Sequence, residues 1–64
     1  MEKTIYDNGS FCVFQFNARP SVHDTAFIMY GIRRTDRKQD GMIFANADKD
    51  FCIKVADDYK KAMI

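Results

Sequence analysis

Lys3-Thr4-Ile5-Tyr6-Asp7-Asn8-Gly9-Ser10-Phe11-Cys12-Val13-Phe14-Gln15-Phe16 is the stretch on which the architecture turns. Two β-branched and aromatic runs flank Asp7–Ser10, and Asn8-Gly9 tolerates the positive φ values of a type I′ turn, so the stretch reads as a β-hairpin. On the second strand Cys12, Phe14 and Phe16 share one face, while Phe11, Val13 and Gln15 share the other. Both faces are largely apolar. Such a strand is either covered on both sides or presents aromatic rings to a partner.

Downstream, Asn17-Ala18-Arg19-Pro20-Ser21 reads as a loop, because Pro20 removes a donor and restricts Arg19. Residues Val22 to Arg34 carry two signals. Ser21 with Asp24 resembles a capping box, which would start a helix. Phe27-Ile28-Met29-Tyr30-Gly31-Ile32 is aromatic and β-branched around a glycine, which favours a strand. With the strand, Arg33 to Gly41 becomes a polar hairpin loop and Met42-Ile43-Phe44-Ala45 the returning strand. From Asn46 as N-cap, Phe51, Cys52, Val55, Ala56, Tyr59, Ala62 and Met63 fall on one stripe of a helix. Asp50 with Lys54, and Asp57 with Lys61, are acid-first pairs four apart. Ile53 lies off the stripe. The expected fold is α+β: a small antiparallel sheet of three to four strands, with a C-terminal amphipathic helix packed on one face. The opposite face is expected to be open and functional.

Sixty-four residues, 47% of them hydrophobic and with a net charge of +1, bound the alternatives. They suit one folded domain, residues 1–64, and neither a disordered chain nor a dedicated duplex-DNA binder with a basic face. The longest apolar run falls far short of the roughly 20 residues of a membrane span. Mixed charges at Met1–Thr4 and the break at Asp7-Asn8-Gly9 predict no secretory leader. Cys12 and Cys52 are the only cysteines. Without a leader they are expected to be free thiols in a reducing cytoplasm; the competing reading is a single disulfide.

Catalytic chemistry finds little to work with. His23 beside Asp24, with Cys12 or Cys52, could form a thiolate–imidazolium pair, but sequence neighbours on a strand face opposite ways and both thiols fall on core faces. Cys12, His23 and Cys52 lack the paired spacing of a structural zinc site, so no metal or other cofactor is expected. The chain is therefore read as non-enzymatic.

Nucleic acid is the second functional reading. Aromatic strands beside arginines stack unpaired bases. Phe11 and Val13, with Arg33, Arg34, Arg37 and Lys38 in the loop, would provide platform and charge. Gly9-Ser10 followed by Val13-Phe14-Gln15-Phe16-Asn17-Ala18 resembles the second nucleic-acid-binding strand of cold-shock domains, which implies single-stranded nucleic acid as a partner. The likeness stops at that strand: Lys3-Thr4-Ile5-Tyr6 stands where the family has a glycine-and-aromatic strand, and the C-terminal helix has no counterpart there.

The first reading is a protein partner. The two-sided apolar strand, the run Phe27–Ile32, four methionines and the stray Ile53 and Ile64 all suit an interface. Arg33, Arg34 and Arg37, with Phe11, Tyr30 and Ile53 as apolar anchors, are the expected contacts. The chain would bind a larger protein and block or alter its functional surface, in the manner of small phage and mobile-element proteins directed at host machinery. A homodimer, with a sheet face or edge buried between copies, is the third reading.

Overall fold

The computed structural model describes residues 2–19, 23, 25–36 and 41–63. Strands β1 (Lys3–Asp7), β2 (Phe11–Ala18), β3 (Phe27–Arg34) and β4 (Phe44–Asn46) form one antiparallel sheet in the order β1-β2-β3-β4. Helix α1 (Lys49–Ala62) follows and packs on β2, β3 and β4. The expected α+β fold is formed.

The first hairpin is present, but its turn is not type I′. Gly9 has a φ of 95°, and no residue other than glycine among those described has a positive φ. A type I′ turn needs positive φ at both central positions. Asn8 works through its side chain instead. Its Oδ1 accepts from the N–H groups of Ser10 at 3.0 Å and Phe11 at 2.8 Å, which closes the turn without a left-handed asparagine. On β1 the register against β2 shifts between Thr4 and Tyr6. This bulge lets both Ile5 and Tyr6 pack on the core, where strict alternation would have sent them to opposite faces.

The ambiguous middle segment is a strand, β3. Ser21, Val22 and Asp24, which carried the helix signal, lie outside the described residues. Two boundaries differ from expectation. Arg33 and Arg34 belong to β3 and not to a loop, because they pair with Cys12 and Phe11 at the start of β2. The length of β2 thus dictates the length of β3. The returning strand begins at Phe44 instead of Met42, although the Ile43 N–H still bonds the Ile32 carbonyl at 2.8 Å.

The helix starts later than expected as well. Asp48 is the N-cap, accepting from the Phe51 N–H at 3.2 Å. Asn46 closes β4, and its side chain accepts from the Asp48 N–H at 2.8 Å. The buried line of α1 is Cys52 and Ala56, with Val55 and Tyr59 half-buried beside it. Phe51, Ala62 and Met63, expected on the core stripe, are exposed. Ile53, expected off the stripe, packs on the core. It stands one turn before Asp57, which bonds Tyr6 and Asn8, so it belongs to the side of α1 that meets β1.

The core under α1 holds Phe11, Val13, Ile32, Cys52 and Ala56. Full burial of Val13 or Ile32 contributes about 1.5–3 kcal/mol each. The other face of β2 is closed too. Cys12 and Phe14 are buried there. The Arg33 guanidinium lies 4.3 Å from the Phe14 ring centroid, and Met42 reaches across Gly31 towards the same ring. The two-sided apolar strand is therefore covered twice near the turn, by a helix on one side and by two long side chains on the other.

Candidate protein-binding surface

Coverage ends where the outer strands end. β1 last opposes β2 at Gln15, and β4 last opposes β3 at Tyr30. Beyond these points, among the described residues, Phe16–Ala18 pair only with Phe27–Met29, in the register Phe16↔Met29, Asn17↔Ile28, Ala18↔Phe27. A two-stranded ribbon alone is marginally stable in water, so this one gains from a cover that the described chain does not provide.

The ribbon's two faces differ. Phe16, Met29 and Phe27 continue the side that carries Phe14 and Gly31, and the Phe14 and Phe16 rings touch with centroids 5.5 Å apart. Met42 extends the same surface over Gly31. The result is an apolar strip from Met42 to Phe27. Phe27 is 44% exposed and Met42 49%, while Phe16 and Met29 are half-buried between them. Ile28, 50% exposed, lies on the opposite side with Asn17.

The residues expected from sequence are not gathered at one place. Arg33 and Arg34 are neighbours on a strand and face opposite ways. Arg33 pairs with Glu2 at 2.9 Å, its side chain 17% exposed, and its Nε is buried without a hydrogen-bond partner. Arg34 forks onto Asp36 at 3.1 and 3.3 Å. Arg37 and Lys38 lie outside the described residues. Phe11, expected as an exposed anchor, is core: it is 6% exposed, its ring centroid 5.5 Å from that of Tyr59. Val13 is fully buried beside it. Tyr30 and Ile53 are half-buried and pack on the same cluster. The base-stacking platform of Phe11 and Val13 is thus under α1, since these residues share the face with Ile32 that the helix covers.

Phe27, Ile28 and Met42 enter in their place. The apolar run Phe27–Ile32 signals the first two. Which members of that run stay exposed depends on how far β1 and β4 reach, and nothing local encodes that.

A polar staple holds the first turn against α1. Asp57 Oδ1 accepts from the Tyr6 hydroxyl at 2.7 Å and from Asn8 Nδ2 at 3.1 Å, and Nδ2 also donates to the Ala56 carbonyl at 3.1 Å. Lys60 Nζ donates to the Asn8 carbonyl. Asp57 faces this cluster, so the pair expected with Lys61 is not its principal contact. The donors from Asn8 and Tyr6 hold the Asp57 carboxyl below its ordinary pKa, and the bond to that carboxylate holds the Tyr6 hydroxyl above its own.

Cys12 and Cys52 are free and buried on opposite sides of the sheet, which sets aside the disulfide reading. Burial pushes the Cys52 thiol up. His23 is exposed, and Asp24 lies outside the described residues. Among the described residues no group of three or more His, Cys, Asp or Glu is placed to hold a metal ion, and no helix is long and apolar enough to cross a membrane.

These features define a small α+β protein with an apolar strip on the side of the sheet away from its helix. No family model matches the chain, and no curated protein or solved structure matches it.

Proposed function

We propose that this chain is a small non-enzymatic modulator that binds a larger protein through the strip Met42–Phe16–Met29–Phe27 and thereby blocks or alters that partner's functional surface. The observation that carries the reading is the uncovered ribbon. Phe27 stands exposed on one face of two strands, with Met42 exposed beside them on the same side, and among the described residues the outer edges of those strands have no neighbour beyond Gln15 and Tyr30. Aromatic and methionine side chains give contact area and adaptable packing, and open strand edges add backbone hydrogen bonds to a partner. The two free thiols favour a reducing compartment, the cytoplasm, as the place of action.

The test is affinity capture from native lysate with and without nuclease, comparing the wild type with Phe27→Glu and Ile28→Glu. A nuclease-resistant protein should be retained by wild type and Ile28→Glu and lost with Phe27→Glu. Its binding should change little between about 50 and 200 mM salt, a range over which phosphate contacts weaken steeply. Loss of all bound material after nuclease treatment would put single-stranded nucleic acid in the partner's place. Capture of nothing but copies of the chain would make it a homodimer.

A further inference from the structure

Asn8-Gly9 is the one Asn-Gly step in the chain; Asn17 and Asn46 both precede alanine. Glycine has no Cβ to shield its nitrogen, so this step is the most open to intramolecular attack. We propose that Asn8 is a deamidation site held silent by the fold, and that its conversion releases the first turn from α1.

The chemistry uses only the chain and water. The Gly9 nitrogen attacks Asn8 Cγ, forming a C–N bond and closing a five-membered succinimide. The Cγ–Nδ2 bond breaks, and ammonia leaves with the proton given up by Gly9. Water then opens the ring to aspartate or isoaspartate. In sum one water enters, one ammonium leaves, and a carboxylate stands where the carboxamide was.

Every atom that must move is committed in the folded turn. The Gly9 N–H donates to Asp7 Oδ1 at 2.8 Å. Asn8 Oδ1 accepts from Ser10 and Phe11 at 3.0 and 2.8 Å. Asn8 Nδ2 donates to the Ala56 carbonyl and to Asp57 Oδ1, both at 3.1 Å. The Tyr6 hydroxyl fixes that same Asp57 oxygen at 2.7 Å. Attack requires the carboxamide to swing its carbon towards Gly9, off all four of its partners. The reaction therefore runs from the opened turn, slowed by the small population of that state.

The product does not fit the site it leaves. A carboxylate oxygen in place of Nδ2 faces the Asp57 carboxylate and the Ala56 carbonyl, both acceptors, so two donated bonds become repulsions. Lys61 and Lys60 are the cations that act on Asp57, and the Lys60 Nζ is already on the Asn8 carbonyl. Isoaspartate also lengthens the turn backbone by one atom. Conversion is thus a one-way loosening of hairpin from helix.

The experiment ages the purified chain near neutral to mildly alkaline pH and follows Asn8 by peptide mapping with mass spectrometry and an isoaspartate assay. Folded wild type, folded Tyr6→Phe and wild type in denaturing urea are compared, with Asn17 in the same digests as reference. Asn8 should convert at least about tenfold more slowly in the folded wild type than in urea. Tyr6→Phe should lie between the two. Equal rates in the folded and unfolded wild type overturn the protection, and a Tyr6→Phe rate equal to the folded wild type overturns the part given to the staple. The Asn8→Asp variant should melt below wild type. A wild-type melting temperature for it overturns the release, and the ageing measurement stands whether or not that variant folds.

Discussion

Met42 occupies the space over Gly31: a Cβ built on that glycine would lie 2.5 Å from the Met42 Sδ and 2.8 Å from the Phe14 Cζ. The glycine in the middle of β3 is there for this close approach and not for a left-handed backbone. It lets one thioether cover the back of the sheet, on the side away from α1. Gly31→Ala in a strand would otherwise gain about 0.4–1 kcal/mol by stiffening the unfolded chain. Here overpacking should dominate, with a loss of about 1–3 kcal/mol by urea denaturation. In a Met42→Ala background, where only the Phe14 ring tip opposes the new methyl, the loss should shrink. Equal losses in both backgrounds would show that the two side chains do not compete.

The two adjacent arginines should behave differently. Arg33 lays its guanidinium over the buried Phe14 ring and pairs across the strands with Cys12, so Arg33→Ala removes packing as well as charge and should cost about 1–2 kcal/mol. Arg34 pairs with Asp36, two residues on, in an exposed pair. Arg34→Ala should stay within about 0.5 kcal/mol of wild type. Chemical denaturation of both variants decides the matter. A neutral Arg33→Ala would mean that Met42 alone closes this face.

Stability should fall at both ends of the pH scale, for related reasons. The Asp57 carboxyl has a lower pKa folded than unfolded, so its contribution is present above the ordinary value of 3.8 and is lost as pH falls through the lower folded one. The Tyr6 hydroxyl has a raised folded pKa. Its contribution is complete below the ordinary 10.0 and is lost as pH rises through the higher folded value. Thermal melts across pH should show both losses. Tyr6→Phe should remove the alkaline loss tied to this bond and reduce the acid one. An unchanged alkaline limb in Tyr6→Phe would separate Tyr6 from the stability of the turn.

Much of the fold is legible locally. Asn8-Gly9 between β-branched runs marks the hairpin, and the aromatic, β-branched run Phe27–Ile32 marks β3. The periodic apolar residues after Asp48 mark α1, because each signal acts within one turn of helix or one pair of strands. The alternation of Phe11 and Val13 against Cys12 and Phe14 is equally plain. What alternation does not say is which side receives the helix, since both are apolar.

That choice was made by long-range contacts. The bulge at Ile5 turns Ile5 and Tyr6 to one side, Asp57 bonds Tyr6 and Asn8 across the chain, and α1 is drawn over Phe11 and Val13. Of the expected anchors Phe11 became core, Tyr30 and Ile53 pack half-buried against it, and the apolar surface left over moved to Phe27 and Met42, where β1 and β4 fall short. The sequence by itself determined the elements and the parity of β2 and β3, through backbone preferences of a few residues at a time. Tertiary structure alone decided the buried face, the ends of β3 and the exposed strip, because burial depends on residues brought together from opposite ends of the chain.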